Sequence, residues 1–163
     1  MLIVWHSRTG AARQMAHAAR DGARHIAQAL DAEHRLTVTL KTAGEAQSGD
    51  VLAADGLLFC APENLASVSG QMKEFFDRCY YDVLERINGR PYALMVAAGS
   101  DGQGAVRQIE RICLGWRLEA IAPPCIVLTH AQTPEAIAAP KKVGPEDRAR
   151  CAELGGTLAA LLL

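Results

Sequence analysis

The sequence predicts an α/β protein in which a parallel β-sheet lies between helices on both faces. Short, continuously apolar runs alternate with longer segments of helical periodicity along the chain. Apolar runs of this kind are typical of strands buried on both faces, as in parallel sheets. The length of 163 residues and the hydrophobic content of 50% suit one compact unit. Residues 1–163 are therefore expected to form a single domain.

The first half of the chain contains three predicted strands. Leu2–His6 is a short apolar run, and a helical pattern at Ala11–Leu30 follows it, with apolar side chains recurring every three or four residues. A weaker apolar run at Leu36–Leu40 predicts the second strand. The third strand is predicted at Gly56–Cys60, which is apolar throughout, and a short helix is expected before it at Asp50–Ala54.

The second half continues the alternation with two more strands and three helices. A helix that packs on a core has an apolar stripe, and the extent of the stripe indicates the length of the helix. Proline is tolerated at the first residue of a strand, so Pro91 can mark the start of a strand. The predicted order is a loop at 61–69, a helix at Gly70–Ile87, a strand at Pro91–Ala97, a loop at 99–104 leading into a helix, a strand at Cys125–Thr129, and a helix from Pro145.

The charge and the cysteines of the chain restrict its partners and its location. With 17 basic and 18 acidic residues, the formal charge of −1 gives no electrostatic basis for binding nucleic acid or an anionic membrane. No apolar segment is long enough to cross a bilayer, so no membrane insertion is expected. The five cysteines form no C-x-x-C pair, which predicts reduced thiols in a cytoplasmic protein and no metal site.

The most informative stretch is the junction between the first strand and the first helix. Ser7, Thr9 and Gly10 end the apolar run, and the helical pattern starts immediately. Backbone N–H groups at a helix N-terminus carry partial positive charge, and glycine permits close approach because it has no Cβ. The junction predicts a site for a phosphate monoester. An ordinary strand-to-helix turn with a capping hydroxyl is the alternative.

Three segments within residues 2–128 resemble the flavodoxin-like superfamily, and in particular its NAD(P)H-dependent FMN reductases and quinone oxidoreductases. His6-Ser-Arg-Thr-Gly10 looks like the phosphate loop of these proteins. Ala54-Asp-Gly-Leu-Leu-Phe-Cys-Ala-Pro62, followed by Ser69-Gly-Gln-Met-Lys-Glu-Phe-Phe-Asp-Arg78, looks like their third strand, flavin loop and following helix. Ala97-Ala-Gly-Ser-Asp-Gly102 looks like their last flavin loop.

The resemblance implies a flavodoxin-like three-layer sandwich with strand order 2-1-3-4-5 and FMN at the carboxyl ends of the strands. It also implies NAD(P)H as electron donor and a quinone, a flavin or another small molecule as acceptor. No catalytic side chain is assigned, because the flavin carries the electrons. The residues expected around FMN are Ser7, Arg8, Thr9, Gly10, Ala11 and Ala12 at the phosphate, Pro62, Glu63, Asn64, Leu65 and Gly70 at the ring, and Gly99, Ser100, Asp101 and Gly102 at the pyrimidine edge or ribityl chain.

The chain departs from the superfamily pattern within these loops. Ala11 and Ala12 stand where relatives usually have Asn and Thr, so two side-chain donors to the phosphate are missing. Leu65 stands where relatives often place an aromatic residue against the flavin, and Ala66 where they tend to have glycine. Each lost charge-assisted hydrogen bond costs about 1.5–3 kcal/mol, so weakened FMN binding is expected.

Four polar side chains near these loops allow more than one interpretation. Glu63 is either a solvated loop residue or a group that tunes the flavin, and Asp101 either contacts the flavin or caps the next helix. His6 is either a satisfied histidine or a phosphate donor. Cys60 is interpreted as a buried structural thiol.

Three functions remain compatible with the sequence. An FMN-dependent oxidoreductase is the leading hypothesis. A flavodoxin-type electron carrier is the second, although such carriers usually have a strongly acidic docking face that this chain lacks. A flavodoxin-like domain with weak or lost FMN binding that acts as an interaction module is the third. The pair Tyr80-Tyr81 leaves a homodimer or higher homo-oligomer open, because one of the two rings is expected to be exposed.

Overall fold

The computed structural model describes residues 1–163 and has a parallel β-sheet with helices on both faces. None of its helices has the length and apolar character that a membrane span requires. The strands are β1 Leu2–Trp5, β2 Thr39–Thr42, β3 Leu57–Asn64, β4 Ser67–Val68, β5 Pro91–Ala98, β6 Glu119–Ala120 and β7 Cys125–Leu128. The helices are α1 Ala11–Ala29, α2 Ser48–Ala53, α3 Gly70–Val83, α4 Gln103–Gly115, α5 Pro134–Ala138 and α6 Pro145–Leu162, with a 3-10 turn at Glu33–Arg35.

The sheet has the predicted strand order. β2, β1, β3 and β5 are neighbours in that sequence and pair in parallel, and β7 adds to the far side of β5. The short β6 pairs with the beginning of β5, so β6 and β7 are two pieces of one edge strand. Pro123 and Pro124 lie between the two pieces and have no N–H to continue the ladder.

Alternate residues of the central strands enter two separate cores. Phe59 of β3 packs on the face covered by α3 and α4, where its ring centroid lies 4.9 Å from Phe76 and 6.3 Å from Trp116. Its neighbours Leu58 and Cys60 enter the opposite core, beneath α1 and α6. This alternation fixes which side chains each helix can meet.

The contact between α1 and α6 is made by backbone atoms. A Cβ on Gly22 would lie 1.9 Å from the carbonyl oxygen of Ala152, and a Cβ on Gly155 would lie 2.0 Å from that of Ala19. No side chain fits in either place, so glycine allows the two helices to approach this closely. The position of α1 is therefore set by direct contact with α6.

Several predicted boundaries were wrong. β2 begins at Thr39 instead of Leu36, and α3 ends at Val83 instead of Ile87. β3 continues to Asn64 and turns into the antiparallel β4, so the loop expected at 61–69 is largely a β-hairpin. The short elements β6 and α5 were not predicted.

Candidate functional site

The three loops expected to bind a ligand leave the same edge of the sheet. Residues 6–10 follow β1, the β3–β4 hairpin extends from the carboxyl end of β3, and residues 99–102 follow β5. Since β1, β3 and β5 are adjacent and parallel, the structure brings the three loops together. A cleft of about 350 Å³ at the opposite edge, near Leu2, Thr39 and Asp55, contains none of the predicted site residues.

The loop after β1 has an open helix N-terminus. Gly10 precedes α1 with a left-handed φ of +97°, which favours glycine, and its amide donates to the Ser7 hydroxyl oxygen over 3.0 Å. The amides of Ala11, Ala12 and Arg13 have no acceptor in the preceding loop, and the first turn of α1 contains no acidic residue. These amides leave a site for an external anion.

The side chains of Ala11 and Ala12 are part of the core. Their exposed fractions are 4% and 1%, and both lie with Met15 on the buried face of α1. Cys60 donates its S–H to the Ala12 carbonyl oxygen over 3.2 Å, and burial raises the pKa of this thiol. Only the backbone amides of the two alanines can contact an anion. Cys60 lies in the core, which confirms its interpretation as a buried thiol.

A distant segment braces this loop, and the sequence analysis missed it. The Lys141 amide donates to the Thr9 carbonyl oxygen over 2.7 Å. The Gln14 side chain donates to the carbonyl oxygens of Gly10 and Lys141, and it accepts from the Val143 amide over 3.0 Å. The only available signal was a polar glutamine near the buried face of α1, and nothing in the sequence identifies its partners.

The β3–β4 hairpin has a strained two-residue turn. Asn64 pairs with Ser67, and the intervening Leu65 and Ala66 have φ values of +52° and +58°. Left-handed backbone costs about 1–2 kcal/mol for a residue with a Cβ. The Leu65 side chain is fully exposed, so the structure places an apolar group at the hairpin tip without a protein partner. Strain and exposure of this kind are typical of ligand-binding segments.

His6 connects the loop after β1 to the start of α3. Its Nδ1 lies 2.8 Å from the hydroxyl oxygen of Ser69, which is 1% exposed and precedes α3. Burial and the nearby Arg8 guanidinium lower the pKa of His6, so the neutral ring is favoured. Of the two interpretations, the structure favours the satisfied histidine.

Glu63 has a partner that the sequence did not suggest. Its carboxylate oxygens accept from the amides of Gly102 and Ala105, each over 3.0 Å. Glu63 is therefore a helix cap and not a solvated loop residue. Asp101 is exposed, the residue that precedes α4 is Gly102, and the carboxylate at this helix end is that of Glu63, so the capping alternative for Asp101 was wrong.

The other predicted residues line the same edge with different exposure. Pro62, Thr9 and Gly99 are half-buried, and Gly102 is buried. A Cβ on Gly99 would lie 2.8 Å from the Ala131 carbonyl oxygen, so this loop is closely packed from outside. Arg8, Asn64, Gly70 and Ser100 are exposed.

A comparison with known families identifies the chain. The model of the family described as NADPH-dependent FMN reductase matches residues 28–134. The chain belongs to this family. The FMN reductase match includes the β3–β4 hairpin and the loop after β5, whereas the loop after β1 lies before its first residue.

Two curated relatives agree with membership in the FMN reductase family. A flavodoxin from Aquifex aeolicus is 35% identical over 104 residues, which cover 64% of this chain and 52% of that protein. An NAD(P)H dehydrogenase (quinone) from Acidithiobacillus ferrooxidans is 33% identical over 91 residues, which cover 48% of this chain and 46% of that protein. The chain thus spans about half the length of the curated relatives it matches.

Solved structures confirm the predicted flavodoxin-like fold. A flavodoxin from the Archaea has a TM-score of 0.73 at 15% identity, covering 99% of this chain and 96% of that one. A WrbA-like flavodoxin from Agrobacterium tumefaciens has a TM-score of 0.71 at 15% identity, covering 99% and 95%. An oxidoreductase from Corynebacterium diphtheriae has a TM-score of 0.70 at 21% identity, again covering 99% and 95%.

Proposed function

We propose that this member of the FMN reductase family binds FMN at the carboxyl edge of its sheet and uses it to transfer electrons from NAD(P)H to a small acceptor. The observation that carries the proposal is the open N-terminus of α1, where the amides of Ala11, Ala12 and Arg13 have no acceptor in the preceding loop. The matched family supports FMN as the phosphate-bearing ligand. The name of the Acidithiobacillus relative supports a nicotinamide donor and a quinone acceptor.

The residues of the loop after β1 fit a phosphate monoester. The Ser7 oxygen accepts from Gly10, which leaves its O–H able to donate, and Thr9 adds a second hydroxyl. A Cβ on Gly10 would lie in ordinary van der Waals contact, 3.8 Å from both the Gln14 amide nitrogen and the Lys141 carbonyl oxygen, so the left-handed φ and not crowding favours glycine here. With the amides of α1, these groups supply hydrogen-bond donors to a phosphate dianion, and no acidic side chain opposes it in the first turn.

The remaining candidate residues form the ring end of the proposed site. Pro62, Glu63, Asn64, Leu65 and Gly70 belong to one wall, and Gly99, Ser100, Asp101 and Gly102 belong to the other. Bound FMN supplies the electron-transfer chemistry. The protein supplies the phosphate anchor, two walls of fixed geometry, and an apolar Leu65 side chain that loses contact with water when a ring covers it.

A titration of the apo-protein with FMN and riboflavin tests the cofactor proposal. Riboflavin lacks the phosphate, and losing two charge-assisted hydrogen bonds of about 1.5 kcal/mol each corresponds to roughly 100-fold weaker binding. Gly10→Val puts a β-branched residue at a left-handed φ beside Gln14 and Lys141, which distorts the loop after β1, so it is expected to weaken FMN binding and leave riboflavin binding unchanged. Gly44→Val is the matched control, because a Cβ on Gly44 meets nothing within 4 Å. Absence of FMN binding to the wild-type protein at tens of micromolar would overturn the proposal.

The name of the Aquifex relative favours a second candidate, an electron carrier. Anaerobic stopped-flow mixing of the FMN-loaded protein with NADH and NADPH separates the two functions. An oxidoreductase loses the visible absorbance of its oxidised flavin on mixing, whereas a carrier is reduced by a protein partner and by neither nicotinamide. The near-neutral charge of −1 supports the enzyme, because docking between carriers and their partners usually relies on a strong charge.

We also propose that the protein is cytoplasmic and forms a homodimer or higher homo-oligomer. All five cysteines are buried and unpaired, which supports a reducing compartment such as the cytoplasm. Tyr81 is 80% exposed, and its ring lies 5.0 Å from that of the half-exposed Tyr80. This aromatic pair supports a homodimer or higher homo-oligomer, which sedimentation velocity would detect.

A further inference from the structure

Two side chains join the β3–β4 hairpin to α4, and they cross in opposite directions. Glu63 reaches from the hairpin to the helix, where its carboxylate accepts from the amides of Gly102 and Ala105 over 3.0 Å each. Gln108 reaches from the helix to the hairpin, where its carbonyl oxygen accepts from the Ser67 hydroxyl over 2.6 Å and from the Val68 amide over 2.8 Å. Together these four hydrogen bonds tie two segments about 40 residues apart.

Backbone contact makes the connection closer still. A Cβ on Gly104 would lie 2.1 Å from the carbonyl oxygen of Ala66, so the first turn of α4 touches the hairpin tip without an intervening side chain. The strained turn at Leu65 and Ala66 is held against this surface. The hairpin and the first turn of α4 are therefore packed against each other as one unit.

The Glu63 carboxylate also changes what the end of α4 can bind. Both of its oxygens are used, and they satisfy amides that a helix N-terminus otherwise offers to an anion. A second anion at this end would meet the negative charge of Glu63. This arrangement suits a neutral ring better than a phosphate.

We propose that Glu63 is a positioning residue for the ring end of the flavin site. It acts through the amides of Gly102 and Ala105, and it holds the hairpin and the loop after β5 in their binding geometry before the ligand arrives. This inference rests on the proposed FMN-binding function. It implies that loss of the carboxylate weakens FMN and riboflavin by the same factor, because the two ligands share the ring and differ at the phosphate.

Glu63→Ala and Glu63→Gln test the inference, with Glu153→Gln as the matched control on the exposed surface of α6. Dissociation constants for FMN and riboflavin are measured by flavin fluorescence, and hydrogen exchange is followed at Gly102 and Ala105. We expect Glu63→Ala to weaken both flavins about 10-fold, or about 1.4 kcal/mol each, and to speed exchange at both amides. Glu63→Gln keeps one acceptor oxygen, so its effect is smaller, and the control leaves both constants unchanged.

The outcomes separate this inference from the proposed function. A wild-type protein that binds neither flavin overturns the proposed function and this inference with it. A wild-type protein that binds both, with Glu63→Ala binding them equally well, overturns the inference alone. Weakened FMN with unchanged riboflavin also overturns it, because Glu63 would then act at the phosphate. If Glu63→Ala does not fold, the comparison is made with Glu63→Gln, and flavin constants equal to wild type despite faster exchange at Gly102 overturn the inference.

Discussion

The N-termini of α1 and α4 lie at the same edge of the sheet and begin in the same way, yet they are completed differently. Each helix follows a glycine in the left-handed region, Gly10 at φ +97° and Gly102 at φ +87°. The first amides of α1 have no acceptor in the preceding loop, whereas two amides at the start of α4 donate to the Glu63 carboxylate. The N-terminus of α1 thus has amides that are free to bind an anion, whereas the N-terminus of α4 is capped by the carboxylate of Glu63.

The two ends are also held by different kinds of contact. α1 is fixed along its length by backbone contact with α6, at Gly22 of α1 and Gly155 of α6. α4 is fixed near its start by the side chains of Glu63 and Gln108. The α1–α6 contact thus uses backbone atoms, whereas the start of α4 combines the backbone contact of Gly104 with hydrogen bonds from two side chains.

The largest expected effect comes from moving α1 itself. Gly155→Ala puts a methyl group 2.0 Å from the Ala19 carbonyl oxygen, so the two helices must separate. We expect the free energy of unfolding to fall by about 3 kcal/mol, the upper range for an overpacked core. Urea denaturation measures this. Gly49→Ala in α2 is the control, since a Cβ there meets nothing within 4 Å, and equal losses in the two variants would contradict the close contact.

The second-largest effect is expected from a negatively charged side chain at the N-terminus of α1, comparable to the Glu63 carboxylate at α4. Ser7→Asp keeps an acceptor for the Gly10 amide and adds a negative charge at the helix N-terminus. We expect FMN to bind about 100-fold more weakly because its phosphate is repelled, while riboflavin binding is unchanged. The apo-protein gains about 0.3–1 kcal/mol of stability from the helix dipole. Ser7→Asn, which is similar in shape but uncharged, is the control, and a similar loss of FMN in that variant would argue against a charge effect.

A third, smaller effect concerns the strained turn that rests on α4. Ala66→Gly relieves a left-handed φ of +58°, a strain of about 1–2 kcal/mol, and adds about 0.5–1 kcal/mol of unfolded-state entropy. The net expectation is a gain of about 0.5–1 kcal/mol in unfolding free energy, read from urea curves. Ala149→Gly, at an exposed position inside α6, should lose about 1 kcal/mol instead. A loss in both variants would show that the turn at Ala66 is not strained.

The smallest expected effect is the pH dependence introduced by His6 beside the α1 end. Burial and Arg8 lower the pKa of His6 below the value of 6.5 for the unfolded chain. The folded protein therefore binds fewer protons, and its stability is complete above pH 6.5 and declines as the pH falls through the lowered pKa. His6→Gln removes this titration, so the stability of the variant should fall less between pH 6.5 and 5. A decline as steep as in the wild-type protein would assign the effect to other groups.

Features built from residues adjacent in sequence were easier to predict than features built from residues far apart. The open end of α1 was predictable, because Ser7, Thr9 and Gly10 are adjacent in sequence and act through local backbone geometry. The sheet order followed from the resemblance. The closed end of α4 was not predictable, because Glu63 and its partner Gly102 are 39 residues apart. Leu65 and Ala66 gave no warning of a hairpin either, since they lack the Asn-Gly chemistry that favours such turns.

The hydrogen bonds between Gln14 and residues 141–143 determine when the loop after β1 can fold during synthesis of the protein. The Thr9 carbonyl oxygen receives its donor from Lys141, and Gln14 contacts a residue 127 positions later in the chain. Domains fold as their segments emerge from the ribosome, and contacts this distant in sequence form late. A nascent chain that ends before Lys141 contains every residue of the loop after β1 and lacks the groups that fix its shape. The loop that appears first is thus among the last parts of the molecule to reach its final geometry.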